Sequence, residues 1–296
     1  MYVSCREFAN ITFQTNSMAL RTGGFFLLLL LSVSLHGNAQ NIAEDEGVLS
    51  KKEYARFLGI SAGPTYQVFH DELISGMRYE KVGGTVAISN TKINDVKFTE
   101  LNFQGSYLNM GRKSEELLKA NVQQLKATMD YRHTYKLALL DENYFDVRAG
   151  MLFSTLFCHR NAKHLPSTGN IYEYAIVLGL TGKIAKQQTF KGRQGHIILD
   201  LNMPLFANMS RPGYLNHSTE LDPESTTIKR IFANNRFTSF GRFFRFNSRF
   251  HILYPIKNGN KLRFTYQWDY YRMKGDGDIK VFSAEHTFLI TFLFNY

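Results

Sequence analysis

Acidic and basic side chains recur at every second position within long apolar and aromatic segments of this 296-residue chain. Residues two apart share one face of an extended strand. On that spacing Glu100, Asp130, Asp146, Glu173, Asp200, Asp269 and Glu285 point the same way as Lys126, Arg132, Lys136, Arg148, Arg245, Arg249, Lys261 and Arg263. If that face is removed from water its charges must pair, because an isolated buried charge is costly. Two chemistries follow: a network of ion pairs that fills an interior, or a gated path for a small polar solute. Neither needs a cofactor, and none is expected.

Other reactive residues form weaker groups. Cys158-His159 with His164 could contribute metal ligands, although a zinc site usually needs three or four with a second pair elsewhere. Acyl transfer on a lipid-facing surface needs Ser and His together. His133 and His286 fall on the apolar face, whereas Ser106, Ser154 and Ser283 fall on the opposite one. Ser248 is on the apolar face, but His251 is not. His70-Asp71-Glu72 and Asp276-x-Asp278 suit a protease at a rim by position only. An enzyme acting on outer-leaflet lipid or on surface proteins therefore stays the least supported class, and no catalytic or metal-binding residue is assigned.

The elements that carry these groups are strands. Sixteen Tyr and twenty-five Phe accompany only six Pro, a composition that suits strands. From Phe282 the even positions read Phe282, Ala284, His286, Phe288, Ile290, Phe292, Phe294 and Tyr296, with Ser283, Glu285, Thr287, Thr291 and Asn295 between them. Similar alternation predicts ten strands, near 54–69, 79–91, 98–111, 122–140, 144–157, 171–186, 195–207, 238–256, 260–273 and 280–296. Most exceed the roughly 9–11 residues that cross a bilayer as a tilted strand. Short turns such as Asn258-Gly259 alternate with longer links near 111–121, 158–170 and 208–237. The link at 186–194 is long for its side and that at 274–279 short. The longest link, with Arg211-Pro212-Gly213-Tyr214 and Asp222-Pro223, is the first place to expect specific binding.

Alternation alone does not say which face is inside. Aromatics near strand ends and mixed charges opposite them favour apolar outside and polar inside, the arrangement of a transmembrane antiparallel up-and-down β-barrel. Eight or twelve strands are the alternatives to ten.

Upstream, Arg21, the apolar run from Phe25 to Leu31 and the small residues Gly37-Asn38-Ala39 have the order of a secretory signal peptide. Residues 1–39 are read as a leader that starts at Met18, residues 40–53 as a periplasmic lead-in, and residues 54–296 as the barrel. Loss of Arg6, Arg21 and Glu7 with the leader leaves 33 basic and 24 acidic residues, a net charge of +9. Secretion argues against nucleic acid as the partner of this charge and favours anionic lipopolysaccharide.

The leader ending in Asn38-Ala39-Gln40, the alternating strands and the terminal Phe292-x-Phe294-x-Tyr296 resemble the small outer-membrane β-barrel proteins of Bacteroidota. The resemblance implies an outer-membrane location with both termini in the periplasm. It implies outer-membrane lipid around the barrel and an assembly signal at Phe292, Phe294 and Tyr296 read by the barrel-assembly machinery. It carries over no catalytic residue. The expected role is non-enzymatic, through extracellular loops or as an accessory subunit of an envelope complex; a narrow gated pore is the alternative.

Overall fold

The computed structural model describes residues 55–74, 76–111, 121–137, 145–162, 170–190, 193–211, 235–256, 259–275 and 278–296. The leader, the lead-in and His164 lie outside them. The strands are β1 (Ala55–Asp71), β2 (Arg78–Ile93), β3 (Lys97–Gly111), β4 (Asn121–Lys136), β5 (Phe145–Ala162), β6 (Asn170–Phe190), β7 (Arg193–Ser210), β8 (Arg236–Thr238), β9 (Phe243–Pro255), β10 (Lys261–Lys274) and β11 (Lys280–Asn295). All pairings are antiparallel and join sequence neighbours, except that β7 pairs with both β8 and β9; β1 pairs with β11 from Phe57↔Asn295 to Asp71↔Val281. The sheet therefore closes on itself. The short β8 continues the wall above β9, so the barrel has ten strands.

Closure leaves no sheet edge, the condition for a sheet to span a bilayer. The burial pattern is inverted relative to a soluble protein. Outward Ile60, Val82, Val86, Ile88, Phe103, Met151, Phe288 and Ile290 are at least half exposed, with Met151 at 70%, while inward Thr65, Gln67 and Thr287 are at 0%. Such an apolar exterior has no aqueous rationale; it is the lipid-facing belt of a transmembrane barrel.

The expected strand boundaries need three changes. The eighth strand, predicted continuous over 238–256, is broken by a turn at 239–242. The link predicted at 158–170 is shorter at both ends, since β5 runs to Ala162 and β6 starts at Asn170. The link at 186–194 closes tightly, with Phe190 paired to Arg193. The 158–170 link reads as solvent-facing because of its charged and polar residues, yet Arg160 within it faces the interior, as Glu173 does in the expected inward set. The expected Asn258-Gly259 turn does contain a left-handed residue, Gly259 at φ 75°, a conformation open to glycine at little cost.

Candidate functional site

The lumen is the best-defined polar site. Its ion pairs are stacked along the axis, and β4 contributes to each level in turn. From the end that carries the β1–β2 turn (the loop end) toward the chain termini, β4 offers Gln124, Lys126, Asp130 and Arg132, all buried.

At the loop end Asp71, Arg160, Glu173 and Arg211 form a closed quartet. Arg160 pairs with Asp71 at 3.3 Å and with Glu173 at 2.7 Å; Arg211 pairs with Glu173 at 2.7 Å and also with Asp71. Their side chains have no exposed surface. The Tyr271 hydroxyl donates to Glu173 at 2.8 Å, and Arg160 Nε donates to Gln124 at 2.9 Å. Gln124 in turn donates to Gln67 at 2.7 Å, and Gln67 to Ser283 at 2.7 Å. Arg160 also lies over the Phe69 ring, 5.1 Å from its centroid. Two apolar clusters adjoin this level, one with Phe69, Leu73, Ile74 and Tyr79, the other with Met209, Phe243, Met273 and Val281.

The middle level matches three cations to three carboxylates. Lys126 holds Asp269 at 2.7 Å and Glu285 at 2.9 Å. Arg245 holds Asp269 at 2.9 Å and donates to Ser154 at 2.8 Å. Ser154 donates to Asp130 at 2.6 Å, and Arg249 pairs with Asp130.

The third level joins Arg132 to Glu100 and, at 2.5 Å, to Asp200. Arg263 meets Glu100 at 3.1 Å and Lys183 meets Asp200 at 3.1 Å. His251 lies between Thr265 at 2.8 Å and Asp200 at 3.3 Å. This is the connectivity of a hydroxyl, a base and an acid, but all three are buried within the packed network. Nearest the termini, Arg148 holds Asp146 at 2.9 Å and donates to the Asn94 carbonyl at 3.1 Å. Lys136, half-buried, stands at the end of β4 on the same side.

The structure thus brings together Glu100, Lys126, Asp130, Arg132, Asp146, Arg148, Asp200, Arg245, Arg249, Arg263, Asp269 and Glu285 inside the barrel. Sequence reasoning missed Arg160, Lys183 and Arg211 as lumen groups and placed Asp71 at the rim. Alternation carried through the end of β1 would have found Asp71, whereas Arg211 lies beyond the register shift in β7, where the inward set changes from Asn202 and Pro204 to Ala207 and Met209.

The other candidate groups separate. Cys158 is buried inward, while His159 faces outward, stacks on Tyr172 and contacts Asn170. No group of metal-ligating residues occurs among the described residues. His133 and His286 face outward with Thr99 and Tyr266 as hydrogen-bond partners, at 2.8 and 2.7 Å. Phe292, Phe294 and Tyr296 end the closing strand. Phe292 and Phe294 rings lie 4.5 Å apart, Tyr296 is 61% exposed, and its hydroxyl accepts from Asn90 at 2.9 Å.

No protein-family model and no curated protein matches the sequence. Among solved structures, the Yersinia pestis attachment invasion locus protein Ail, in complex with the heparin analogue sucrose octasulfate, is 10% identical. The match covers 81% of this chain and 99% of that one, with a TM-score of 0.30. The translocator domain of the Neisseria meningitidis autotransporter NalP is 7% identical over 95% and 98%, with a TM-score of 0.37. The TodX monoaromatic hydrocarbon channel, as a deletion mutant, is 8% identical over 82% and 90%, with a TM-score of 0.33. The assignment as a barrel rests on the closed ladder itself, and nothing about ligand or activity transfers at these values.

Proposed function

We propose that this chain is an outer-membrane barrel of the Bacteroidota type with a shut lumen. It acts through its loop end or as an accessory subunit of an envelope complex. The observation that carries the reading is the stacked, charge-matched interior with apolar clusters beside its loop-end level. A conducting pore needs a continuous water-filled path, so that its inward charges face water. Here most inward charges hold one another, and a ten-stranded interior is narrow enough for side chains to fill. The ten-strand topology puts the start of β1 and the end of β11 on one side, which we assign to the periplasm. Outward Arg242, Arg272, Lys274 and Lys280 near the other end then suit anionic lipopolysaccharide. Phe292, Phe294 and Tyr296 sit where β11 closes on β1, a fitting position for a signal read by the barrel-assembly machinery.

Planar-bilayer recording tests the reading. Wild-type protein should show only rare, small openings. Replacing Lys126, Asp130, Arg245 and Asp269 together by small residues should open a measurable path. A large, steady wild-type conductance would put the pore first. Separately, deletion of the last three residues should abolish insertion, read as loss of heat-modifiable mobility on a gel.

A further inference from the structure

The wall between β7 and β9 is interrupted. Their ladder runs from His196↔Leu253 to Asn202↔Asn247 and stops. Pairing resumes on β8, from Ala207↔Thr238 to Met209↔Arg236. Between the ladders, residues 203–206 of β7 face residues 239–246, twice as many, across the wall. The excess folds into a turn in which Arg242 N and Phe243 N donate to the Ser239 carbonyl at 3.3 and 3.4 Å. Pro204, inside the gap, has no N–H to offer a partner strand. On its other side the β6–β7 register shifts between Leu178 and Gly179. Gly179 is required there, because a Cβ would meet Pro204 Cα at 2.9 Å.

A small cavity with room for about one water molecule lies at this gap, lined by Leu152, Ser154, Val177 and Pro204 and by the carboxamides of Asn202 and Asn247. The charges at its edge, Asp130 and Arg245, are already matched by Arg249 and Asp269. The carboxamides are not fully matched. Asn202 Nδ2 donates to Asn247 Oδ1 at 3.0 Å. Asn202 Oδ1 and Asn247 Nδ2, both buried, have no hydrogen-bond partner among the described residues. Reversing both amides leaves the same remainder, one acceptor and one donor. Outside the gap, Phe206 and Phe237 stack at 5.9 Å on the lipid-facing surface, and Phe237 is 76% exposed.

The geometry points to a lateral binding site for a neutral, single-chain amphiphile. Its hydroxyl head donates to and accepts from the Asn202–Asn247 pair, and its hydrocarbon chain leaves through the β7–β9 gap into the bilayer. A charged head would have to break an existing ion pair, and the narrow cavity favours a hydroxyl over a bulkier group. The site needs no path along the barrel axis, so it stands or falls apart from the sealed lumen.

Photolabelling of the full chain in detergent with a diazirine-bearing hexadecanol tests it, with the matching hexadecane as control. The alcohol should label peptides that carry Val177, Pro204 or Asn247, and the alkane should not. Asn247→Leu, which removes one hydrogen-bonding group while keeping the branched heavy-atom skeleton, should lower this labelling about five- to tenfold. Met203→Cys with Phe246→Cys, cross-linked across the gap, should lower it as well, with recovery on reduction. Cys158 is buried and does not compete. Heat-modifiable mobility shows that each variant has folded. Labelling confined to the outer aromatic surface, or unchanged by both Asn247→Leu and the cross-link, would overturn the proposal. So would a cavity that takes water only and no label.

Discussion

The two ends of the lumen handle buried charge differently. At the loop end, Asp71, Arg160, Glu173 and Arg211 sit next to apolar side chains and have no contact with solvent. At the terminus end, Arg148 and Asp146 form a pair whose carboxylate is 33% exposed, and Arg263 is 12% exposed. Water screens the second pair and not the first. A surface pair contributes little. A buried quartet adds little net stability over an apolar core of equal volume, but removing one member leaves the others charged and dry. The same residue types therefore act as a lock at one end and as a replaceable contact at the other.

The largest effect should come from breaking the quartet. Arg160→Met leaves Asp71 and Glu173 with Arg211 alone, and should cost about 3–5 kcal/mol. Urea unfolding in micelles, followed by gel mobility, would measure it. A loss comparable to that of a surface pair would show that water reaches this level and would erase the contrast between the ends.

Lys126→Met probes the middle level. Asp269 keeps Arg245, whereas Glu285 loses its closest cation and keeps the Thr287 hydroxyl at 3.2 Å. The expected cost is below that of Arg160→Met but still on the order of 2–3 kcal/mol, because both carboxylates are buried. A double-mutant cycle with Glu285→Gln should recover part of the loss.

Arg148→Ala, at the terminus end, should cost no more than about 1 kcal/mol, since its partner is solvated. If it matched Arg160→Met, the two ends would be equivalent and the contrast wrong.

How much of this was legible beforehand depends on what alternation encodes. Period two fixes which residues share a face, so the inward set on β4 and β10 could be read directly. Pairing is different. Lys126 and Asp269 meet because β4 and β10 face each other across a closed barrel, and closure and stagger have no local signature. The apolar clusters at the loop end were also hidden. Inward Leu108, Val122 and Val281 continue the inward register but break the rule that inward means polar. Asp71 and Arg211 looked like loop residues, because charge next to turn residues usually faces water. The turn at 239–242 interrupts a segment whose alternation reads straight through it.

The smallest effect should come from a charge outside both ends of the lumen. Asp278 lies in the β10–β11 turn at φ 63° and pairs with Lys274 at 2.8 Å. That hydrogen bond, then the Lys274 charge, holds its carboxyl below the usual range, with Lys280 and Arg242 adding to the effect. A carboxyl depressed in the folded state stabilises above its unfolded pKa, and the contribution disappears as pH falls through the folded value. The group is fully solvated, so the contribution should be too small to resolve. Asn tolerates the left-handed backbone. Asp278→Asn should therefore unfold with wild-type protein at pH 7 and at pH 3 alike. A clear difference at pH 7 that vanishes at pH 3 would mean that the loop-end turn shares in the buried network, and that the lock extends beyond the strands.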